Sequence, residues 1–295
     1  HSMGGLICRF AIQYDIFGFR DKVAKFITLA TPHGGASLAD KLILGKDIIN
    51  PGSKDLEHLD PDWVKKYLGG TKIKKNEFII QNNCYCIVGC NYKDYGITKG
   101  LVGGRSDGLV MQEEAFIDGV GKTFVYCTHS SIINSRESYE ITKRFFFGDV
   151  RMKVTVVKIK FKDKQRKGNW QYCDRRYFFY SSLKVRGVNT LLNEISERCE
   201  NTIHHSTAKE IQDMVETTGY ILYDGLLDST CISSKDRRKD RGDFITFNLE
   251  FECIEYDQRA GNILVETASM PFQLDMNTVQ NSFLKEYKGT YIDFD

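Results

Sequence analysis

The sequence predicts an α/β domain followed by a mainly antiparallel β domain, and two observations carry that reading. In the first half, short apolar runs end in glycine-rich turns and alternate with stretches of helical spacing; in the second half, the apolar residues recur at every second position. The change falls near residue 149, giving domains of 1–149 and 150–295. A chain of 295 residues suits two domains or one large one.

The first half opens on "HSMGG". A serine followed by two glycines, with Leu6, Ile7, Phe10 and Ala11 behind it, suits a turn that lifts a hydroxyl out at a helix start, with the N–H of Met3 beside it. The window matches the last four residues of G-x-S-x-G, with Gly4 as the closing glycine; the opening glycine would precede His1. "GGLICRFAIQYDIFG" continues as a helix. Residues 26–30 of "KFITLATPHGGA" form a short strand stopped by a Thr-Pro-His-Gly-Gly turn.

Residues 37–78 are a long insertion whose helices start at Pro or Asp-Pro signals. Its Leu42, Ile43, Leu44, Ile48, Ile49 and Trp63 suit either a cap over a site or packing on the sheet. "CYCIVG" is a second strand, after which "GGRSDGLV" holds Asp107 in a glycine-rich loop. "FVYCTHSSIINS" ends a third strand on His129, and "SSIINSRESYEITKRFFFGD" reads as a closing helix.

Serine, aspartate and histidine thus follow one another, two of them at strand ends. A serine hydroxyl is a poor nucleophile until an imidazole takes its proton, and the imidazole needs a carboxylate on its other nitrogen to fix the tautomer. With "TPHGGA", "NPGS" followed by "LEHL", "SDGLV" and "HSSIINS", residues 1–149 resemble the C-terminal half of an α/β-hydrolase of the lipase/esterase type. The resemblance implies Ser2 as nucleophile, Asp107 as acid, His129 as base and the Met3 N–H as one oxyanion donor. It also implies that strands before the nucleophile are absent from this sequence, lying on an N-terminal portion of the protein or on another polypeptide. Asp94 in "NYKDYG" competes with Asp107, whose Gly-Gly before and Leu-Val after better suit a tight loop. His33 precedes the acid and is read as a structural turn residue; His58, His204 and His205 are read as surface residues.

In the second half, "RMKVTVVKIKFK" alternates and then slips phase at Val156-Val157, which predicts a β-bulge. "RRYFFYSSLKV", "DFITFNLEFECIEY" and "GNILVETASMPFQL" are further strands, the last two joined by a turn at "DQRAGN". Ile245, Phe247, Leu249 and Phe251 would form one buried face. Helical spacing marks "VNTLLNEISERC" and "TAKEIQDMVETTG". The expectation is a β-sandwich with one or two helices.

Net charge is +2, with 41% hydrophobic and 27% charged residues, so no global field points to nucleic acid. No window approaches the apolar run of about 20 residues that spans a bilayer. Nine cysteines, several inside apolar strands, favour a reducing compartment and hence the cytoplasm. Cys84, Cys86 and Cys90 lack the knuckle spacing of a zinc site, and no cofactor is implied. The basic clusters, Lys158 to Lys167 and "KDRRKDRGD", could meet anionic head groups or an acidic partner, or serve as a solvated strand face. The function expected is a serine hydrolase of carboxylic esters, a lipase, phospholipase or esterase acting through an acyl-enzyme. The alternatives are an acyltransferase using the same triad and a catalytically inactive hydrolase-fold scaffold.

Overall fold

A computed structural model of the chain describes residues 1–36, 58–73, 77–80, 83–94, 105–158, 175–185, 191–195, 208–227, 244–257 and 263–275. They form a mixed α/β protein in two compact units, one running from His1 to Phe147 and the other opening at Gly148.

The first unit is built on a parallel sheet of β1 (Phe26–Leu29), β2 (Cys84–Gly89) and β3 (Gly121–Val125), in that spatial order. Phe26 pairs with Cys84 and Tyr85 with Gly121. The central strand β2 is buried along its whole length, as its unbroken apolar sequence requires when both faces of a parallel sheet are covered. Because successive side chains alternate, Cys84 and Cys86 face one way and Tyr85 the other. The first pair meets Ile12 of helix α1 (Met3–Gln13), together with Ile79, Ile117 and Val120. Tyr85 meets Phe145 of the helix Arg136–Phe147, ring centroids 5.6 Å apart. A helix therefore covers each face.

Between β1 and β2 lie α2 (Pro61–Leu68) and the short α3 (Glu77–Ile80). The Asp-Pro signal works as the sequence suggests: Asp60 accepts a hydrogen bond from the Trp63 N–H at 2.9 Å, Pro61 occupies the first turn, and Gly69, at φ 87°, ends the helix. Val64 and Leu68 bury themselves against Leu6 of α1, so this piece of the insertion packs on the helix behind Ser2. Residues 38–57, which hold most of the expected cap, lie outside the described residues. The closing helix, α4 (Arg136–Phe147), follows a 3-10 turn at Ser131–Asn134 and starts on the Ser135 hydroxyl, which accepts from the Ser138 N–H at 3.0 Å. Lys25 Nζ donates to the carbonyls of Phe145 and Phe146 at its other end.

The second unit is antiparallel. β4 (Val150–Val156) pairs with β7 (Tyr220–Leu227), and a four-stranded sheet has the order β6 (Leu191–Ile195), β5 (Arg175–Val185), β8 (Phe244–Asp257), β9 (Ile263–Asp275). Tyr256 opposite Ile263 closes β8 and β9 around "DQRAGN". The helix expected near residues 207–219 is α5 (Ala208–Thr218), which buries Ile211 and Val215 one turn apart.

Two expectations are corrected here. Residues 191–195, read as helical, form strand β6: the run is short enough to fit either period, and pairing with β5 (Ser181 opposite Ile195) decides it. The bulge expected in the first strand at Val156-Val157 is absent, because β4 stops at Val156. The irregularity falls instead at Val154/Thr155, opposite Tyr223 and Ile221, so that Leu222 of β7 is the extra residue. The side chains expected to form the buried face of β8 lie outside the described residues, as do all members of the basic clusters except Lys158.

Candidate active site

Ser2 stands at the start of α1 with φ 52° and ψ −136°, a conformation that costs a non-glycine residue about 1–3 kcal/mol. Two backbone bonds hold it there: its N–H donates to the Leu29 carbonyl at the end of β1 at 3.1 Å, and its carbonyl accepts from Gly5 at 2.9 Å. The glycine that the turn requires is not Gly4, read above as the closing one. Among the described residues, nothing lies within 4 Å of a Cβ built on Gly4. A Cβ on Gly5 would fall 2.0 Å from Thr31 Oγ1. α1 can approach the Thr-Pro-His-Gly-Gly turn only because Gly5 has no side chain.

Asp107 lies beyond the C-terminal end of β2, 1% exposed. Its Oδ1 accepts the N–H groups of Leu109 (2.9 Å) and Val110 (2.8 Å), a turn that Gly108 permits by adopting φ 102°. Oδ2 is left to face His129 Nδ1 at 2.8 Å. Gly89, the last residue of β2, makes room for it: a Cβ there would meet Asp107 Cβ at 2.8 Å and the Cys127 carbonyl at 2.9 Å. The sequence reading missed Gly89, which looks like any strand-ending glycine until the residue packed on it is known.

His129 follows β3 by four residues and is buried. Its N–H donates to the Asp107 carbonyl at 2.9 Å, and its Nε2 lies 3.0 Å from Ser2 Oγ. With the proton on Nδ1 donated to Asp107, Nε2 can accept from the serine hydroxyl. The three residues singled out by their motifs, their order and the hydrolase resemblance thus form one hydrogen-bonded chain. Met3 is the first residue of α1, so its N–H has no acceptor within the helix and sits at the positive end of the helix dipole.

The rival candidates are elsewhere. Asp94 accepts from Asn91 Nδ2 at 2.7 Å. His33 is fully buried, its Nε2 3.0 Å from Thr28 Oγ1 and its Nδ1 3.4 Å from Arg9 Nη1; burial holds its pKa below the usual histidine value. His58 is exposed against the edge of Trp63, while His204 and His205 lie outside the described residues. Comparison with family models, curated proteins and solved structures finds no match to this chain.

Proposed function

We propose that this protein is a serine hydrolase of carboxylic esters, of lipase or esterase type, on an α/β-hydrolase scaffold. One observation supports the reading above all: Ser2 Oγ, His129 Nε2, His129 Nδ1 and Asp107 Oδ2 stand in sequence at 3.0 and 2.8 Å. In this reading His129 takes the Ser2 proton as Oγ attacks the ester carbonyl, and Asp107 stabilises the imidazolium that forms. The Met3 N–H and the α1 dipole meet the developing oxyanion. His129 then gives its proton to the leaving alkoxide, and a water deacylates the enzyme; an alcohol in place of that water would make the same site an acyltransferase. The antiparallel unit would be the β-sandwich module, and its basic residues a contact for anionic lipid or an acidic partner. Cys84 and Cys86 are buried in β2 as small apolar groups, which supports a cytoplasmic setting. Among the described residues, no helix is long and apolar enough to cross a membrane.

A fluorophosphonate probe tests the chemistry directly. Attack by Ser2 Oγ on phosphorus expels fluoride and leaves a phosphonylated serine, read by mass as a modification of Ser2. Hydrolysis of p-nitrophenyl esters should then improve from acetyl to medium chains, since each buried methylene contributes about 0.8 kcal/mol. A chain inert to both would be a scaffold, and a profile peaking at acetyl would remove the lipase reading.

A further inference from the structure

We propose that His1 is a positioning residue that holds the base against the nucleophile, an inference that rests on the reading of Ser2 and His129 given above. His1 Nε2 lies 2.8 Å from the His129 carbonyl oxygen. A carbonyl only accepts, so the imidazole of His1 carries its proton on Nε2 and donates it. The two imidazole rings lie 4.8 Å apart, tilted by 47°. Because His1 and Ser2 are adjacent, the turn at the start of α1, the elbow, grips residue 129 at two points, by its main-chain carbonyl and by its ring nitrogen at 3.0 Å. Asp107 grips the same residue at two points from the other side, through its carbonyl on the His129 N–H (2.9 Å) and its carboxylate on Nδ1 (2.8 Å).

The two grips from the elbow behave differently during turnover. While His129 carries the proton it has taken, its Nε2–H can donate to Oγ; once that proton has gone to the leaving alkoxide, the acylated Oγ has none to donate and Nε2 none to give, so in the acyl-enzyme the Ser2–His129 bond no longer holds the base in place. The His1 bond involves no reacting atom and persists through acylation and deacylation. It transmits to His129 the fixed position of the elbow, which the Ser2 N–H bond to Leu29 anchors on β1. A misplacement of about 1 Å can slow a reaction by about 10²-fold, and this bond opposes such drift.

The test uses the full chain as wild type, His1→Leu and His1→Gln, because a glutamine amide carries an N–H near the place of imidazole Nε2. His1→Leu is expected to slow acylation and deacylation of p-nitrophenyl butyrate by about 10- to 100-fold, with KM within roughly twofold and the thermal midpoint unchanged. His1→Gln should recover to within about threefold of wild type. A wild-type rate in His1→Leu, or equal loss in His1→Leu and His1→Gln, overturns the positioning role while leaving the triad in place. A wild type inert to the fluorophosphonate overturns the triad reading and this role with it.

Discussion

At the scale of single residues, the candidate site divides into groups that would react under the proposed function and groups that make space for them. Ser2→Ala should abolish ester turnover, by about 10³-fold or more, and all labelling by fluorophosphonate. Asp107→Asn, which favours the wrong imidazole tautomer, should slow acylation by about 10⁴-fold with the fold retained; Asp94→Asn should leave rates alone. The space-making glycines give a sharper contrast. Gly89→Ala pushes a methyl into Asp107 and should cut kcat strongly, whereas Gly4→Ala meets nothing among the described residues and should be nearly silent. Steady-state kinetics on folded protein reads both. Ser2, Asp107 and His129 were legible as candidates in the sequence because serine, aspartate and histidine carry chemistry that few positions need. Gly89, Gly5 and His1 were not, since what they do depends on neighbours far away in the chain.

At the scale of elements, the Thr-Pro-His-Gly-Gly turn and the helices around it form a brace behind Ser2. Arg9 of α1, fully buried, donates to the carbonyls of Leu68 (2.8 Å) and Gly70 (2.9 Å) at the end of α2. Desolvation lowers its pKa only to about 10, so it remains a cation at the negative end of the α2 dipole. Arg9→Met strips those carbonyls of their donor and should cost about 3 kcal/mol, read as a lower urea midpoint; Arg9→Lys, with a charge but no fork, should fall between.

His33 in the same brace gives a pH dependence. Its folded pKa is lowered from 6.5, so below 6.5 the unfolded chain binds a proton that the folded one refuses. Its contribution is complete above that pH and declines as pH falls toward the folded pKa. Urea midpoints taken from about pH 7 to about pH 5 should drop less steeply in His33→Gln than in wild type; an unchanged slope would remove His33 as the source. Elements were legible where they carried punctuation, as with Asp60-Pro61 at the start of α2 and the alternation of β5, β8 and β9. β6 was not, because five residues fit either period and its partner strand made the choice.

At the scale of the whole molecule, the hydrogen-bonded chain of Ser2, His129 and Asp107 lies within the unit His1–Phe147, while the antiparallel unit begins at Gly148. Covalent modification of Ser2 should therefore act on one unit alone. Calorimetry is expected to resolve two transitions, with phosphonylation shifting only one; a single transition moved as a block would mark the units as one cooperative body. The change of apolar period from helical spacing to alternation near residue 149 was legible in the sequence. How the strands of the second half share two sheets was not, since register between distant strands leaves little trace in either strand alone.

The hydrogen bond from Ser2 to His129 joins residues 127 positions apart. Closing so long a loop costs entropy before any contact repays it, so pairings of this kind form late in folding. Partly folded forms of the chain, nascent or damaged, would hold a serine with no base beside it. Under the proposed function, reactivity would then arise only once the last long-range pairing closes, and the rate of phosphonylation during refolding would become a clock for that final step.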